Sequence, residues 1–315
     1  SRERVAEAWR CKPGEVVFTS GGTESNNLAI LGAARHLRPK GRHLITSPVE
    51  HHAVLQCFEY LAKKEGYSLE LLPVDGDGLV DPFDLKSMLR DDTLLVSIMA
   101  VNNETGTILP VSSLGAVCRE HGVLFHTDAV QWAGKEPLVD IHQFNADLVS
   151  VCGHKIYGPK GSGALFVRSP LQLDPVLFGG GHENERRAGT ENLAGIVGLT
   201  ECLEQFTVQP VFNRDHLGPL SRRLDNLASC IESLHSVSLI TSRLANTASF
   251  TVDGADSITL LAALDMEGIC ASGGSACSSG SVNPSHVLLA MGKSLIEATS
   301  LVRFSLGRES KEADI

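Results

Sequence analysis

Basic residues are in short supply: Lys+Arg number 27 against 37 Asp+Glu, giving a formal net charge of -10 at pH 7. That sign argues against a nucleic acid or an anionic membrane as partner, because the summed field repels both. No apolar run approaches the roughly 20 residues a membrane-spanning helix needs, and residues 1–10 are charged and helix-like rather than a secretory leader. Eight cysteines lie along the chain without paired spacing, which suits free thiols in a reducing compartment better than a disulfide framework. Metal chemistry is not expected either: Cys118 with His121, and Cys152 with His154, are close pairs without a four-ligand set at zinc spacing. Asp75-Gly76-Asp77-Gly78 lacks the other ligands of a calcium loop and reads as a tight turn. The stretch from Gly158 to Gly163 lacks the Gly-Lys-Ser/Thr order of a nucleotide-binding loop. Internal repeats and low-complexity tracts are missing as well.

What is present is ordinary globular usage, 43% hydrophobic and 20% charged over 315 residues, enough for one large core and a smaller domain. Short β-rich runs alternate with helical periodicity through the first half. Strands are predicted at residues 15–19, 43–46, 68–74, 94–101, 123–128, 148–152 and 164–168, with helices over about 23–37, through Val54, Leu55, Phe58, Leu61 and Ala62, and from the Asp81-Pro82 cap. This density of strand-helix-strand units implies an α/β fold with a mainly parallel sheet, whose ligands gather at loops leaving the strands' carboxyl ends. A long helical stretch is predicted from near Glu191 past Ile231, followed by a second α/β segment over 246–308. The domains expected are 1–205 and 206–315. The chain opens within a helical pattern and stops just after an apparent strand, so both ends read as cut edges. The expected location is cytoplasmic, with an organellar one left open by the N-terminus.

One lysine stands out. Lys155 follows the predicted strand 148–152 and a glycine, and Gly158-Pro159-Lys160-Gly161 comes next. An amine at a buried strand end can be desolvated enough for Schiff-base chemistry, whereas a lone loop lysine is ordinarily a solvated one. Asp128 ends an upstream strand. A carboxylate there suits the pyridinium nitrogen of pyridoxal phosphate, although such an aspartate alone is more often a turn or cap residue. Ser20-Gly21-Gly22-Thr23 lies between a strand and a helix, where backbone N–H groups and the Thr23 hydroxyl can face a phosphate. His51 and His52 both offer an imidazole suited to proton transfer near neutrality, and Arg303 offers a fork that matches a carboxylate.

These segments carry a resemblance. The runs from Phe18 to Asn27, Glu50-His51-His52-Ala53-Val54, Val101-Asn102-Asn103-Glu104-Thr105-Gly106 and Gly153-His154-Lys155 through Gly161 resemble those of cysteine desulfurases. Gly179-Gly180-Gly181-His182-Glu183, Arg187 to Asn192, Ser275-Ala276-Cys277 and Arg303 to Gly307 follow in the family's order. The likeness implies pyridoxal-phosphate fold type I, with a mainly parallel seven-stranded-type sheet, helices on both faces and a smaller C-terminal α/β domain. It implies a homodimer that converts L-cysteine to L-alanine and leaves a persulfide on Cys277. The sulfur would pass to an iron-sulfur scaffold or another acceptor protein.

By the same resemblance, Lys155 would carry the cofactor, Asp128 its ring nitrogen and Gln131 its phenolic oxygen, while His51 stacks on the ring and handles protons. Gly22, Thr23, Cys152 and His154 would surround the phosphate, and Thr190 would reach the phosphate of the neighbouring subunit. Asn103 and Arg303 would bind the substrate carboxylate, Asn103 also approaching the cofactor. Cys277 sits among small residues, as a mobile nucleophile requires. Cys57, Cys118 and Cys230 fit helical patterns and read as buried apolar cysteines. The chain departs from the family at Cys152, where a serine is usual; a thiol is the weaker donor to phosphate. The family's N-terminal Asn-Ala-Ala-Thr-Thr-like segment and final helix are not in the sequence. Two alternatives stay open: selenocysteine lyase, which a turnover comparison of cysteine and selenocysteine separates, and a non-catalytic scaffold, marked by failure to bind the cofactor.

Overall fold

The computed structural model describes residues 1–238, 242–274 and 283–315. Two compact units emerge: residues 1–73, 80–101 and 109–211 form the first, and 74–79, 102–108 and 212–315 the second. The second unit thus recruits two short pieces from the first half of the chain, a discontinuity that a boundary drawn along the sequence does not contain.

The first unit holds a seven-stranded sheet made of β1 (Val16–Thr19), β2 (His43–Thr46), β3 (Ser68–Leu71), β4 (Thr93–Ser97), β5 (Leu124–Asp128), β6 (Leu148–Cys152) and β7 (Gly163–Val167), in the order β1-β7-β6-β5-β4-β2-β3. The pairs from β3 through β6 are parallel, while β7 runs antiparallel to both β6 and β1. The reason lies in the connection: a parallel return needs a crossover of a dozen or more residues, and residues 153–162 are too few. Strands β1, β2 and β4 to β7 are buried almost throughout, as expected of a sheet covered on both faces, whereas β3 is a half-exposed edge.

The helix His52–Glu65 shows how the cover forms. Its buried Val54, Cys57, Phe58 and Leu61 recur at helical spacing and pack against Ile30, Leu44 and Leu95. Gly66 ends it at a φ of 72°, where a side chain would be strained. Burying Phe58 or Leu61 stabilises the unit by about 1.5–3 kcal/mol each. After β1, Gly22–Asn27 begins a helix that continues through a π turn, Leu28–Gly32, into Ala33–His36.

Several predicted bounds change. The strand expected over 94–101 ends at Ser97, because Ile98 N–H turns to the His126 carbonyl and Met99 N–H to the Glu50 carboxyl at 2.6 Å. The extended run expected to residue 74 ends at Leu71. The long helix predicted past Ile231 is two helices, Leu193–Phe206 and Arg214–Ala228. Pro210 lies in the break, and Asn213 starts the second helix by accepting from the N–H groups of Asp215 and His216. The chain ends in a short turn of helix, Glu312–Asp314, rather than just after a strand.

The second unit carries an antiparallel sheet of β8 (Leu234–Ser236), β9 (Thr247–Val252), β10 (Ser272–Gly273) and β11 (Val302–Ser305), ordered β10-β11-β9-β8. Within it, Asp75 Oδ1 accepts from the N–H groups of Asp77 and Leu79, the tight turn expected there.

Candidate active site

The topology gathers the singled-out residues of the first unit along one edge. Strands β2, β5 and β6 deliver their carboxyl ends there, and β7 starts there with Gly163 paired to both Cys152 and Thr19. The turn after β1 therefore lies beside the strand that follows the lysine loop. Gly163 and Gly22 make the approach achievable: a Cβ on Gly163 would stand 2.7 Å from Gly21 Cα, and one on Gly22 would stand 2.7 Å from Val130 Cγ2.

Asp128 closes β5 at 5% exposure. One carboxylate oxygen accepts from the Asn26 amide at 2.7 Å, and the other from the Val130 N–H at 2.9 Å. Burial pushes the carboxyl above its ordinary range, against those two donors and the electrostatic influence of His51 and Lys155. The carboxyl is held by two neutral donors in a buried site, where a cation placed against it would offset the cost of its charge.

His51 precedes the helix His52–Glu65 and caps it, Nδ1 accepting from the Ala53 N–H at 3.0 Å. The proton of the neutral ring is therefore on Nε2. Burial lowers its pKa; Asp128 opposes this, while His52 and Lys155 add to it. Asp128 and Lys155 both act on His51, one of the two adjacent histidines left open by sequence.

Lys155 is half-buried in the loop between β6 and β7, and among the described residues no hydrogen bond or ion pair reaches its ammonium. Its backbone N–H bonds the sulfur of Cys152, whose thiol is pushed up to about 11, chiefly by burial and by Asp128. Cys152 is fully buried and protonated at neutral pH. His154 lies at the surface, its pKa lowered by desolvation and then by Lys155, Lys160 and Lys135. Three lysine charges thus bear on one imidazole, next to the glycine turn, which favours an anion. Thr23 is exposed at that turn, and the Gln131 side-chain oxygen accepts from Lys135.

Arg187 is tied to Glu24 at 2.7 Å, which fixes the segment leading to Thr190. Thr190 is exposed and lines a small cleft with Thr19, Ser20 and Arg187. In the second unit, Arg303 on β11 donates to the backbone carbonyl of Asn103, so those two residues lie together. Cys277 falls outside the described residues. Cys57 and Cys118 are buried as expected, but Cys230 is exposed, because it follows the helix Arg214–Ala228 rather than facing the core. The seven described cysteines are all free thiols, and no cluster of metal-ligating side chains occurs among the described residues. No helix among them is long and apolar enough to cross a membrane.

Sequence reasoning passed over Asn26 and assigned no role to His126, whose placement depends on neighbouring strands. His126 Nδ1 lies 2.7 Å from Ser97 Oγ, and Nε2 lies 3.0 Å from Ser150 Oγ. Burial pushes this imidazole from 6.5 down to about 3. The folded protein keeps it neutral while the unfolded chain takes up a proton, so stability should fall as pH drops from 6.5 toward 3. Between pH 7 and pH 5 this group should remove about 2 kcal/mol. Urea denaturation of wild type and His126→Gln at both pH values checks it; an unchanged loss in the variant would clear His126 as the cause.

With this geometry in place, comparison with known proteins is decisive. The aminotransferase class-V family model matches residues 1–315. The chain belongs to that family. It is 43% identical over 316 aligned residues to the cysteine desulfurase IscS of Dictyoglomus turgidum, covering 100% of this chain and 80% of that protein. Among solved structures, a NifS-like protein superposes with a TM-score of 0.91 at 34% identity, covering 99% of this chain and 82% of its own. SspA in complex with cysteine gives 0.83 at 35% identity, covering 98% and 85%. The resemblance drawn from the motifs and the expected fold class both hold. Membership also implies pyridoxal-phosphate use, and the residues present fit that cofactor: a lysine without a partner among the described residues, a buried carboxylate, and a glycine turn beside a cationic loop.

Proposed function

We propose that this family member is a pyridoxal-phosphate-dependent cysteine desulfurase that converts L-cysteine to L-alanine and leaves a persulfide on Cys277. The observation that carries the reading is the meeting of Lys155, Asp128 and His51 at one sheet edge, in a chain whose relatives are cysteine desulfurases. When bound, pyridoxal phosphate supplies an electron sink conjugated to the substrate's α-carbon. Lys155 would attach the cofactor and move the α-proton, and Asp128, held by Asn26 and Val130, would pair with the ring nitrogen. His51, neutral and with its Nδ1 engaged, would stack on the ring and offer Nε2 for proton transfer. Gln131 would serve the phenolic oxygen. The turn at Gly22 and Thr23, with His154 and the Cys152 end of β6, would receive the phosphate, and Thr190 would reach the phosphate of a second subunit.

In the second unit, Asn103 and Arg303 bind the substrate carboxylate. Cys277 then attacks the substrate sulfur. A sulfur-sulfur bond forms, the cysteine carbon-sulfur bond breaks, and that electron pair stays with carbon and is protonated to give alanine. The enzyme thiol and cysteine yield persulfide and alanine without an outside oxidant or reductant.

The fitting assembly is a homodimer. Phe178 at 83% exposure and Leu193 at 71% are large apolar side chains left in solvent near Thr190, as a covering second copy would explain. The persulfide would then pass to an iron-sulfur scaffold or another sulfur acceptor in the cytoplasm.

Incubating the cofactor-loaded protein with L-cysteine tests the reading: alanine should appear mole for mole with transferable sulfur, and the visible absorbance of the bound cofactor should change. Failure to bind the cofactor would favour the scaffold alternative. Asp128→Asn should keep the fold but lose the charge at the ring nitrogen. Unpairing one member of a buried charge pair costs about 4 kcal/mol, or roughly 10³-fold in rate. Steady-state alanine formation checks this; a loss under about tenfold would remove Asp128 from that role.

A further inference from the structure

The turn read as a phosphate cradle carries an acid of its own. Glu24 lies one residue past Thr23 in the helix Gly22–Asn27, and its Oε2 accepts from the Ser20 N–H at 2.9 Å, closing the turn. Arg187 reaches the same carboxylate from a remote part of the chain, Nε donating to Oε1 at 2.7 Å and Nη2 to Oε2 at 3.3 Å. The two side chains are only 20% and 16% exposed. A fork on both oxygens of a largely buried carboxylate holds its geometry better than an ordinary surface ion pair. Burial alone would raise the Glu24 acid, but the hydrogen bonds from Arg187 and Ser20 hold it below its ordinary range, so it is ionised at neutral pH.

The same guanidinium lies against the segment that ends in Thr190. Gly189 stands at a φ of 102°, and a Cβ there would be 3.3 Å from Arg187 Nη1. Upstream, the buried Glu183 makes a second anchor: its Oε2 accepts from the Phe18 N–H of β1 at 3.1 Å, and its Oε1 pairs with Arg2 at 2.6 Å. Glu183, Asn184 and Glu185 stand at φ 52°, 56° and 65°, three left-handed residues in succession without a glycine. Such a run persists where its surroundings fix it, and here Glu183 grips the strand before the glycine turn while Arg187 grips the helix after it.

We propose that Arg187 and Glu24 are positioning residues for a phosphate monoester, their ion pair holding the Ser20–Thr23 turn in shape for one phosphate and Thr190 in place for that of the second subunit. The inference rests on the reading of the turn and of Thr190 as phosphate ligands.

The test compares how full-chain wild type, Arg187→Ala and Glu24→Gln bind pyridoxal phosphate and pyridoxal, which lacks the phosphate, with dissociation constants read from the absorbance of the bound molecule. Arg187→Ala should bind pyridoxal phosphate about tenfold more weakly and pyridoxal within about twofold of wild type. Glu24→Gln separates positioning from simple attraction. Charge alone would tighten phosphate binding there, since an acid is removed and an arginine released, whereas loss of the anchor should weaken it by about threefold. Losses of equal size for the two ligands, unchanged pyridoxal phosphate binding in Arg187→Ala, or unchanged or tighter binding in Glu24→Gln would overturn the proposal. Should Arg187→Ala fail to fold, the Glu24→Gln comparison decides by the same criteria. Wild type that binds pyridoxal phosphate no more tightly than pyridoxal would sink the phosphate reading itself, whereas a wild-type preference left intact in both variants would sink only the role of the pair.

Discussion

Lys155→Ala should reduce alanine formation from L-cysteine by at least roughly 10⁴-fold, since one amine both anchors the cofactor and relays the α-proton. The structure gives the amine a setting that other nearby lysines lack. Lys135 is engaged with Gln131, and Lys160 lies exposed farther along the loop. Lys155 lies just past β6, beyond Gly153 and His154, close enough to Asp128 and His51 to act on both. Borohydride reduction followed by peptide mass spectrometry separates anchoring from activity. Wild type should gain the mass of the reduced cofactor on the peptide containing Lys155, and the variant should gain none. Cofactor mass on Lys135 or Lys160 in wild type would reassign the anchor.

The second large effect is expected at Cys277. Removing the nucleophile of a covalent enzyme lowers turnover by roughly 10⁴- to 10⁶-fold, so Cys277→Ala should make almost no alanine while keeping the bound cofactor's absorbance. Burial argues against several of the other thiols. Burial pushes Cys57 and Cys118 up to about 12, and Cys11 reaches about 12 through burial and then Glu15 and Asp140. With Cys152 at about 11, these thiols stay protonated and poorly nucleophilic near neutrality. Cys230 and Cys270 are exposed and serve as controls: their alanine variants should retain turnover. Trapping the persulfide after a single turnover locates the sulfur by mass. Continued sulfide release by Cys277→Ala, or a persulfide on Cys270, would defeat the assignment.

Much of the first unit is legible in sequence because its signals are local. Buried strands read as continuous apolar runs, glycines mark close approach, and Asp128, Cys152 and Lys155 follow strand ends by short offsets. The boundary errors share a cause. Ile98 and Met99 are as apolar as a strand, but their N–H groups go to His126 and Glu50, partners remote in sequence. The helix read past Ile231 breaks between Phe206 and Arg214 because Asn213 offers a fresh cap, which outweighs the continuing polar-apolar pattern. Cys230 looked buried by periodicity, yet the helix ends before reaching it.

Lys155 was legible as an oddity and, through the motifs around it, as a cofactor anchor; composition, strand-helix alternation and those motifs also determined the fold class and the family. Only the tertiary structure decided what surrounds that lysine. The sheet order places β1 beside β7, so the glycine turn and the lysine loop share an edge. It sets Asn26 on Asp128 and brings His51 under the influence of Asp128 and Lys155. In the second unit it joins residues 102–108 to 212–315 and so puts Glu104 within reach of Ser285. Residue identity sets what a side chain can do, but burial, hydrogen-bond partners and facing charges arise only when distant segments pack, and those determine whether it is ionised, oriented and available to react.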